Sequence, residues 1–342
     1  MVTFRKVLIV RTDRIGDVVL TLPLVTALRQ QFPTVEISML INRYTADVVD
    51  SYAEKIETIF YDKVPFFQMI KVIREKKFDA VVVAKSSWRL ALLFFLARVP
   101  IRVGTGYRLY SFLFNKKVYE HRKNGNKHEL EYNLYLLSPL GVVPKEKIFP
   151  KLIVDEVAKE KIQTLLQQKN INATDSLIIF HPGSGGSSRS WHWKNFGLLG
   201  KRIAEFPQVK ILISGGVKEK ELMQNVANLI GEKAMVLNET LSLKEFIALL
   251  SLAKLFIANS TGPLHLAAAV GKFTFGFFPQ IPHLSSTRWG AYTENKIEFS
   301  PKNKSLDCKK CVSENECECM NSISAEEVFN EIKSKLQSSN DK

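Results

Sequence analysis

Two series of short apolar runs, each run followed by a stretch of helical period, limit what this chain can fold into more than any other feature. In the first series Lys6–Val10 precedes a helical segment ending near Gln31, and Val35–Leu40 follows. Tyr44–Tyr52 (helical), Thr58–Phe60, Phe66–Lys77 (helical) and Ala80–Ala84 continue it. Runs that stay apolar, rather than alternating with polar residues, belong to strands buried on both faces, which predicts a parallel sheet covered by helices. The pattern pauses at Gly141-Val142-Val143-Pro144 and the irregular stretch Lys147–Ile153, then restarts. Residues 155–169 (helical), Ser176–His181, Trp191–Phe206 (helical), Val209–Ser214, Lys218–Ile230 (helical) and Met235–Leu237 open the second series. Leu243–Leu252 (helical), Leu255–Ala258, Leu264–Val270 (helical) and Thr274–Phe278 complete it. The expectation is two doubly wound α/β domains, residues 1–154 and 155–342, a division that 342 residues allow.

Such folds bind ligands beyond the carboxyl ends of their strands, and a two-domain chain also between its domains. The residues that follow each strand are therefore the ones to read. Three loops there are unusually polar or rich in glycine: Arg11-Thr12-Asp13-Arg14-Ile15-Gly16-Asp17, the stretch from His181 to Trp191, and the stretch from Asn259 to His265.

In the first loop Gly16 permits a tight turn, and Asp17 falls at or near a helix N-terminus, where the dipole favours the ionised carboxylate. A carboxylate so placed can accept a proton from a hydroxyl nucleophile, or can serve only as a helix cap. Arg11 and Arg14 can hold Asp13 or an anionic ligand. The second loop, H-P-G-S-G-G-S-S-R-S-W, offers backbone N–H groups that can converge on an anion before a helix starts, with Arg189 as a fixed forked charge. In the third, Ser260 and Thr261 can cap a helix, Gly262 allows close approach, Pro263 wastes no donor, and His265 can point back toward a ligand. Neither G-x-G-x-x-G after the first strand nor G-x-x-x-x-G-K-[ST] occurs, which argues against a nicotinamide enzyme or a P-loop ATPase.

Charge adds a direction. Residues 1–150 carry 24 Lys/Arg against 14 Asp/Glu, while residues 151–342 carry 24 against 20. The N-terminal half is the part suited to something anionic, and nucleic acid, a lipid surface or a phosphorylated substrate would each satisfy it. No nucleic-acid motif is recognisable. The most membrane-like segment, Leu90 to Ala97, falls well short of the roughly 20 residues a span needs, so it reads as a buried helix or a dip into a surface. The N-terminus lacks the pattern of a secretory signal, and the expected location is the cytoplasm.

Taken in order, R-T-D-R-I-G-D-V-V-L-T-L-P, H-P-G-S with a following basic residue and Trp, and N-S-T-G-P-L-H-L-A-A-A resemble the ADP-heptose:lipopolysaccharide heptosyltransferases of glycosyltransferase family 9, over nearly the whole chain. The resemblance implies a GT-B fold, two Rossmann-like domains facing a central cleft, with acceptor on the first and nucleotide sugar on the second. It implies an inverting transfer of heptose from ADP-heptose to a sugar hydroxyl of an anionic glycolipid, at the cytoplasmic face of the inner membrane, with no cofactor required and no nucleic-acid partner. It assigns the catalytic base to Asp17; Arg11, Asp13, Arg14 and Gly16 of the same loop are then the acceptor-side candidates. Gly183, Ser184, Arg189, Ser260, Thr261, Gly262 and His265 go to the donor. Where some members carry Asp this chain has Ser260, which can hydrogen-bond but is uncharged and leaves the donor sugar open. A noncatalytic nucleotide-sugar or anionic-polymer binding protein, and a family 9 transferase with another donor, are the alternatives.

All four cysteines, Cys308, Cys311, Cys317 and Cys319, lie in one short segment of the second domain. A C-x-x-C followed by C-x-C can hold structural zinc, although the pairs are closer than in zinc ribbons; reduced thiols in a cytosolic surface loop are the other reading.

Overall fold

The computed structural model describes residues 4–302 and 317–337. The chain divides into two compact units, Met1–Ile153 and Val154–Lys342. The first is built on β1 (Lys6–Val10), β2 (Glu36–Ile41), β3 (Glu57–Phe60), β4 (Ala80–Val83), β5 (Ile101–Thr105) and β6 (Lys116–Val118). The second is built on β7 (Ser176–His181), β8 (Val209–Ile213), β9 (Ala234–Val236), β10 (Leu255–Asn259), β11 (Phe273–Phe277) and β12 (Lys296–Phe299).

Both sheets are parallel throughout, in the orders β3-β2-β1-β4-β5-β6 and β12-β11-β10-β7-β8-β9. These are the same topology, each starting at a central strand, winding outward one way and then the other. The strands at which the winding reverses, β1 with β4 and β7 with β10, lie side by side in the registers Val10↔Val83 and Ala258↔His181. The loops leaving these paired strands diverge to opposite sides and leave room for a ligand above the sheet edge.

The central strands form where the sequence is wholly apolar: Val7 to Val10 and Ile178 to Phe180 are fully buried. Leu8, Val10, Val81 and Val83 pack with Ile73, Phe94 and Phe114 on one face of the first sheet. In the second, Trp191 stacks on Phe277 with ring centroids 4.1 Å apart, within a core that also takes in Cys317 and Met320.

The helical segment expected up to Gln31 is two helices, Ile15–Val19 and Pro23–Gln31. Pro23 has no N–H for an intrahelical bond, so the first helix ends before it and the second begins on it. The segment containing Leu90 to Ala97 is the helix Trp88–Leu96, which buries Leu90, Ala91, Leu93 and Phe94 and exposes Trp88, Phe95 and Leu96. Among the described residues no helix is long and apolar enough to cross a membrane. Cys308 and Cys311 lie outside the described residues; Cys317 is buried in the core and Cys319 is half-buried beside it.

Candidate active site

At the carboxyl edge of the first sheet the chain leaves β1 at Arg11, whose side chain is 3% exposed. A buried guanidinium requires partners, and this one has them on several sides. Its Nε donates to Asp13 Oδ1 at 2.7 Å, one terminal nitrogen donates to the Asp17 carboxylate, and the other reaches Glu129 Oε1 and Asn133 Oδ1, each at 3.3 Å. Glu129 and Asn133 sit four apart on the helix Glu129–Tyr135 and so share a face. Arg122 donates to the same Glu129 oxygen and to Asn133 Oδ1, and Asn133 anchors the group by donating to the Leu20 carbonyl at 3.1 Å. Lys85, just past β4, lies 3.7 Å from Asp13, and the Tyr44 hydroxyl donates to the Asp13 carbonyl. Three carboxylates thus face two guanidinium groups and one ammonium.

Asp17 is not the cap of its helix. The N-cap position falls on Arg14, without a side-chain hydrogen bond, and Asp17 stands in the first turn. Burial raises its pKa above the usual carboxylate range, repulsion from Asp13 and Glu129 adds to the rise, and attraction from Arg11 opposes it. A carboxylate held in this balance is a stronger proton acceptor than an exposed one, yet stays anchored. For Arg11, burial works against the charge, but Asp17, Asp13 and Glu129 outweigh it and raise the pKa. Its bonded donors are spent on the chain's own residues, so of the two alternatives for Arg11 the geometry realises the hold on Asp13. Arg14 is exposed, and Gly16 is buried under the turn.

The second unit brings the other two loops together. Ser187 Oγ donates to the Ser260 carbonyl at 2.9 Å, the Trp191 N–H donates to Asn259 Oδ1 at 2.7 Å, and Asn259 Nδ2 donates to the Pro182 carbonyl at 2.6 Å. Asn259 therefore clips the start and the end of the glycine-rich loop to the end of β10. Within the loop Gly185 and Gly186 take the left-handed backbone conformation (φ 53° and 70°), and the Ser190 hydroxyl donates to Ser184 Oγ at 3.0 Å. Arg189 is half-buried and makes no ion pair among the described residues. The following helix starts two residues later than expected, at Trp193, and His192 caps it.

The helix after β10 runs Gly262–Ala269, with Thr261 at the N-cap. The capping by Ser260 or Thr261 is not made: no side-chain cap hydrogen bond forms, which leaves the Thr261 hydroxyl beside the helix's positive end. Ser260 is buried and tied into the sheet through its N–H to the Phe277 carbonyl at 3.2 Å; His265 is buried in the first turn and a half.

Sequence reasoning missed Glu129, Asn133 and Arg122 on the first unit and Glu219 on the second. Glu219 accepts the N–H groups of Gly216 at 2.7 Å and Gly185 at 3.3 Å. A Cβ on Gly183 would lie 2.1 Å from a Glu219 carboxylate oxygen, so glycine at 183 is what lets this acid approach the loop. Beneath it His181 Nδ1 shares a hydrogen bond with Ser214 Oγ at 3.0 Å. Burial pushes the His181 pKa down to about 4 against a weaker attraction from Glu219, which keeps the ring neutral at physiological pH.

Comparison with known proteins adds an independent line. The model of the family described as glycosyltransferase family 9 (heptosyltransferase) matches residues 66–319. A provisionally named glycosyltransferase of Haemophilus influenzae is 28% identical over 312 residues, covering 86% of this chain and 89% of that one. Lipopolysaccharide heptosyltransferase 3 of Escherichia coli is 24% identical over 302 residues, covering 83% of this chain and 85% of its own. In three dimensions the chain is similar to the solved ADP-heptose lipopolysaccharide heptosyltransferase II of E. coli, with a TM-score of 0.80 at 18% identity over 98% of this chain and 99% of that one. The GT-B fold expected from the sequence follows from this likeness and from the two parallel sheets.

Proposed function

Because the chain belongs to glycosyltransferase family 9, the heptosyltransferases, we propose that this transferase moves heptose from ADP-heptose to a sugar hydroxyl of an anionic glycolipid with inversion at the anomeric carbon. The observation that carries the reading is Asp17, a carboxylate set at the switch point of the first sheet, raised in pKa by burial and held by Arg11. In the proposed step the acceptor oxygen forms its bond to the anomeric carbon while the bond to the diphosphate breaks. Asp17 takes the hydroxyl proton, and the nucleoside diphosphate leaves with the electron pair.

The donor belongs to the second unit. The leaving diphosphate gathers negative charge, which Arg189, the loop N–H groups and the helix N-terminus at Thr261 and Gly262 are suited to stabilise. Glu219 follows β8, the second strand of its unit, where Rossmann-like folds place the acid that binds ribose hydroxyls. Gly183 and Ser184 shape the loop, and His265 lines the same end of the helix. On this reading the enzyme works at the cytoplasmic face of the membrane that holds its acceptor, and it needs no metal for the chemistry. The acceptor excess of cations in residues 1–150 fits an anionic glycolipid.

Ser260 favours a second reading, a family 9 transferase with another donor sugar, because a hydroxyl replaces the charge that some members carry. One assay decides between them: product formation from ADP-heptose and from a panel of other nucleotide sugars, with deacylated core oligosaccharides as acceptors. Turnover with ADP-heptose at least tenfold above every other donor supports the proposal, and a different preferred donor replaces it with the second reading.

A further inference from the structure

The first unit presents a surface that the proposed chemistry does not use. From Ala80 to Tyr119 the chain contains seven Lys/Arg and no Asp or Glu. Within this stretch Leu109 is 99% exposed, Phe112 75% and Trp88 63%, and Phe95 also faces solvent. Trp88 and Phe95, seven apart on the helix Trp88–Leu96, share a side of it. The Arg102 guanidinium lies 5.5 Å from the Phe95 ring and donates to the Leu113 carbonyl at 2.8 Å, which ties the end of helix Trp88–Leu96 to the segment carrying Leu109 and Phe112. Arg89, beside Trp88, lies 5.3 Å from the Phe66 ring, and Phe67 next to it is itself exposed.

Soluble monomers rarely leave so many large apolar side chains exposed in one area, so the patch calls for an occupant. Charge selects which one. A second copy related by a two-fold axis would set one predominantly cationic stretch against another. A bilayer with anionic headgroups satisfies both features at once, since aromatic and aliphatic tips enter the acyl boundary while Arg and Lys stay at headgroup level.

We propose that this face, from Trp88 to Lys117, docks the chain on an anionic bilayer. The inference deepens the membrane contact proposed above, and it stands or falls on lipid binding alone, whatever sugar is transferred. The test is flotation of the full chain with vesicles of phosphatidylcholine with and without phosphatidylglycerol. Binding is expected to the anionic vesicles, weakening with salt. Replacing Arg89, Arg98 and Arg108 by Gln should weaken it by about a hundredfold, since each cation near such a surface is worth about fivefold. Leu109→Ser with Phe112→Ser should weaken it by at least about tenfold. Lys151, Lys201 and Lys333, all exposed elsewhere, give a control triple to Gln with the same charge change and little effect. All the patch positions replaced are exposed, and the two sets of variants check one another if one of them fails to fold. Equal binding to neutral and anionic vesicles overturns the proposal, as does a control triple that loses as much as the patch variants. A dimer in sedimentation that Leu109→Ser with Phe112→Ser dissolves overturns it too, by making a second copy the occupant.

Discussion

Replacing Arg11 by Gln separates a residue that holds the site together from one that awaits a ligand. Arg11 is 3% exposed, and its removal leaves Asp13, Asp17 and Glu129, with side-chain exposures of 15%, 13% and 2%, without their shared cation. Removing one partner of a buried ion pair costs about 3–5 kcal/mol, because the remaining charge stays buried. For proteins of this size each kcal/mol moves the melting temperature by about 2–4 °C, so the transition of the first unit should fall by roughly 10 °C. The deficit should also depend on pH. Burial already raises Asp17, and losing Arg11 raises it further. A carboxyl whose pKa is higher folded than unfolded favours the fold at low pH and loses that contribution as pH rises through the folded value. The variant should therefore lag the parent more at pH 7.5 than at pH 5.5. Calorimetric melts at both pH values, with Arg11→Lys expected to be intermediate, check this. A variant within a degree or two of the parent at both pH values would refute the reasoning and return Arg11 to the acceptor.

Arg189→Ala should weaken nucleotide binding roughly ten- to a hundredfold by calorimetry and leave the melting temperature unchanged, since a charged hydrogen bond to phosphate is worth about 1.5–3 kcal/mol. If the four cysteines form a structural metal site, elemental analysis should find about one zinc per chain and chelation should lower the melting temperature; a zinc-free preparation of equal stability makes them ordinary thiols. The folded pKa of His181, about 4, is below its unfolded value, so its stabilising contribution is complete above the unfolded value and is lost as pH falls toward 4. One group changes stability by at most about 1.4 kcal/mol per pH unit in that window. Chemical denaturation from pH 7 to 4.5 should show that slope flattened in His181→Gln.

The sequence made the central strands legible because they are buried on both faces, as in Val7 to Val10 and Ile178 to Phe180. It hid the strands broken by charge or glycine: β5, one in from the edge, carries Arg102 and Gly104, edge strand β6 opens Lys116-Lys117, and edge strand β12 alternates Lys296 and Glu298 with Ile297 and Phe299. None of these has the continuous apolar run that marks Val7 to Val10 or Ile178 to Phe180. The same contrast holds at the site. Arg11, Asp13 and Asp17 could be read because they follow a strand immediately. Glu129 joins them from 118 residues away, and its only local signal is a pair of polar residues four apart on one helix. Glu219 comes from 34 residues beyond Gly185, and the space that glycine at 183 leaves admits its carboxylate, which no local pattern announces.

The central claim is that Asp17 takes the acceptor's proton, and Asp17→Asn tests it most directly. Asparagine keeps the size and one acceptor oxygen, the N-cap position on Arg14 is untouched, and Arg11 retains Asp13 and Glu129. Turnover should fall by about 10²–10⁴-fold, the usual worth of general-base catalysis, while nucleotide affinity measured on the same preparation barely changes. Near-normal turnover with intact nucleotide binding would contradict the account and move the base elsewhere, with Asp13 the next residue to replace.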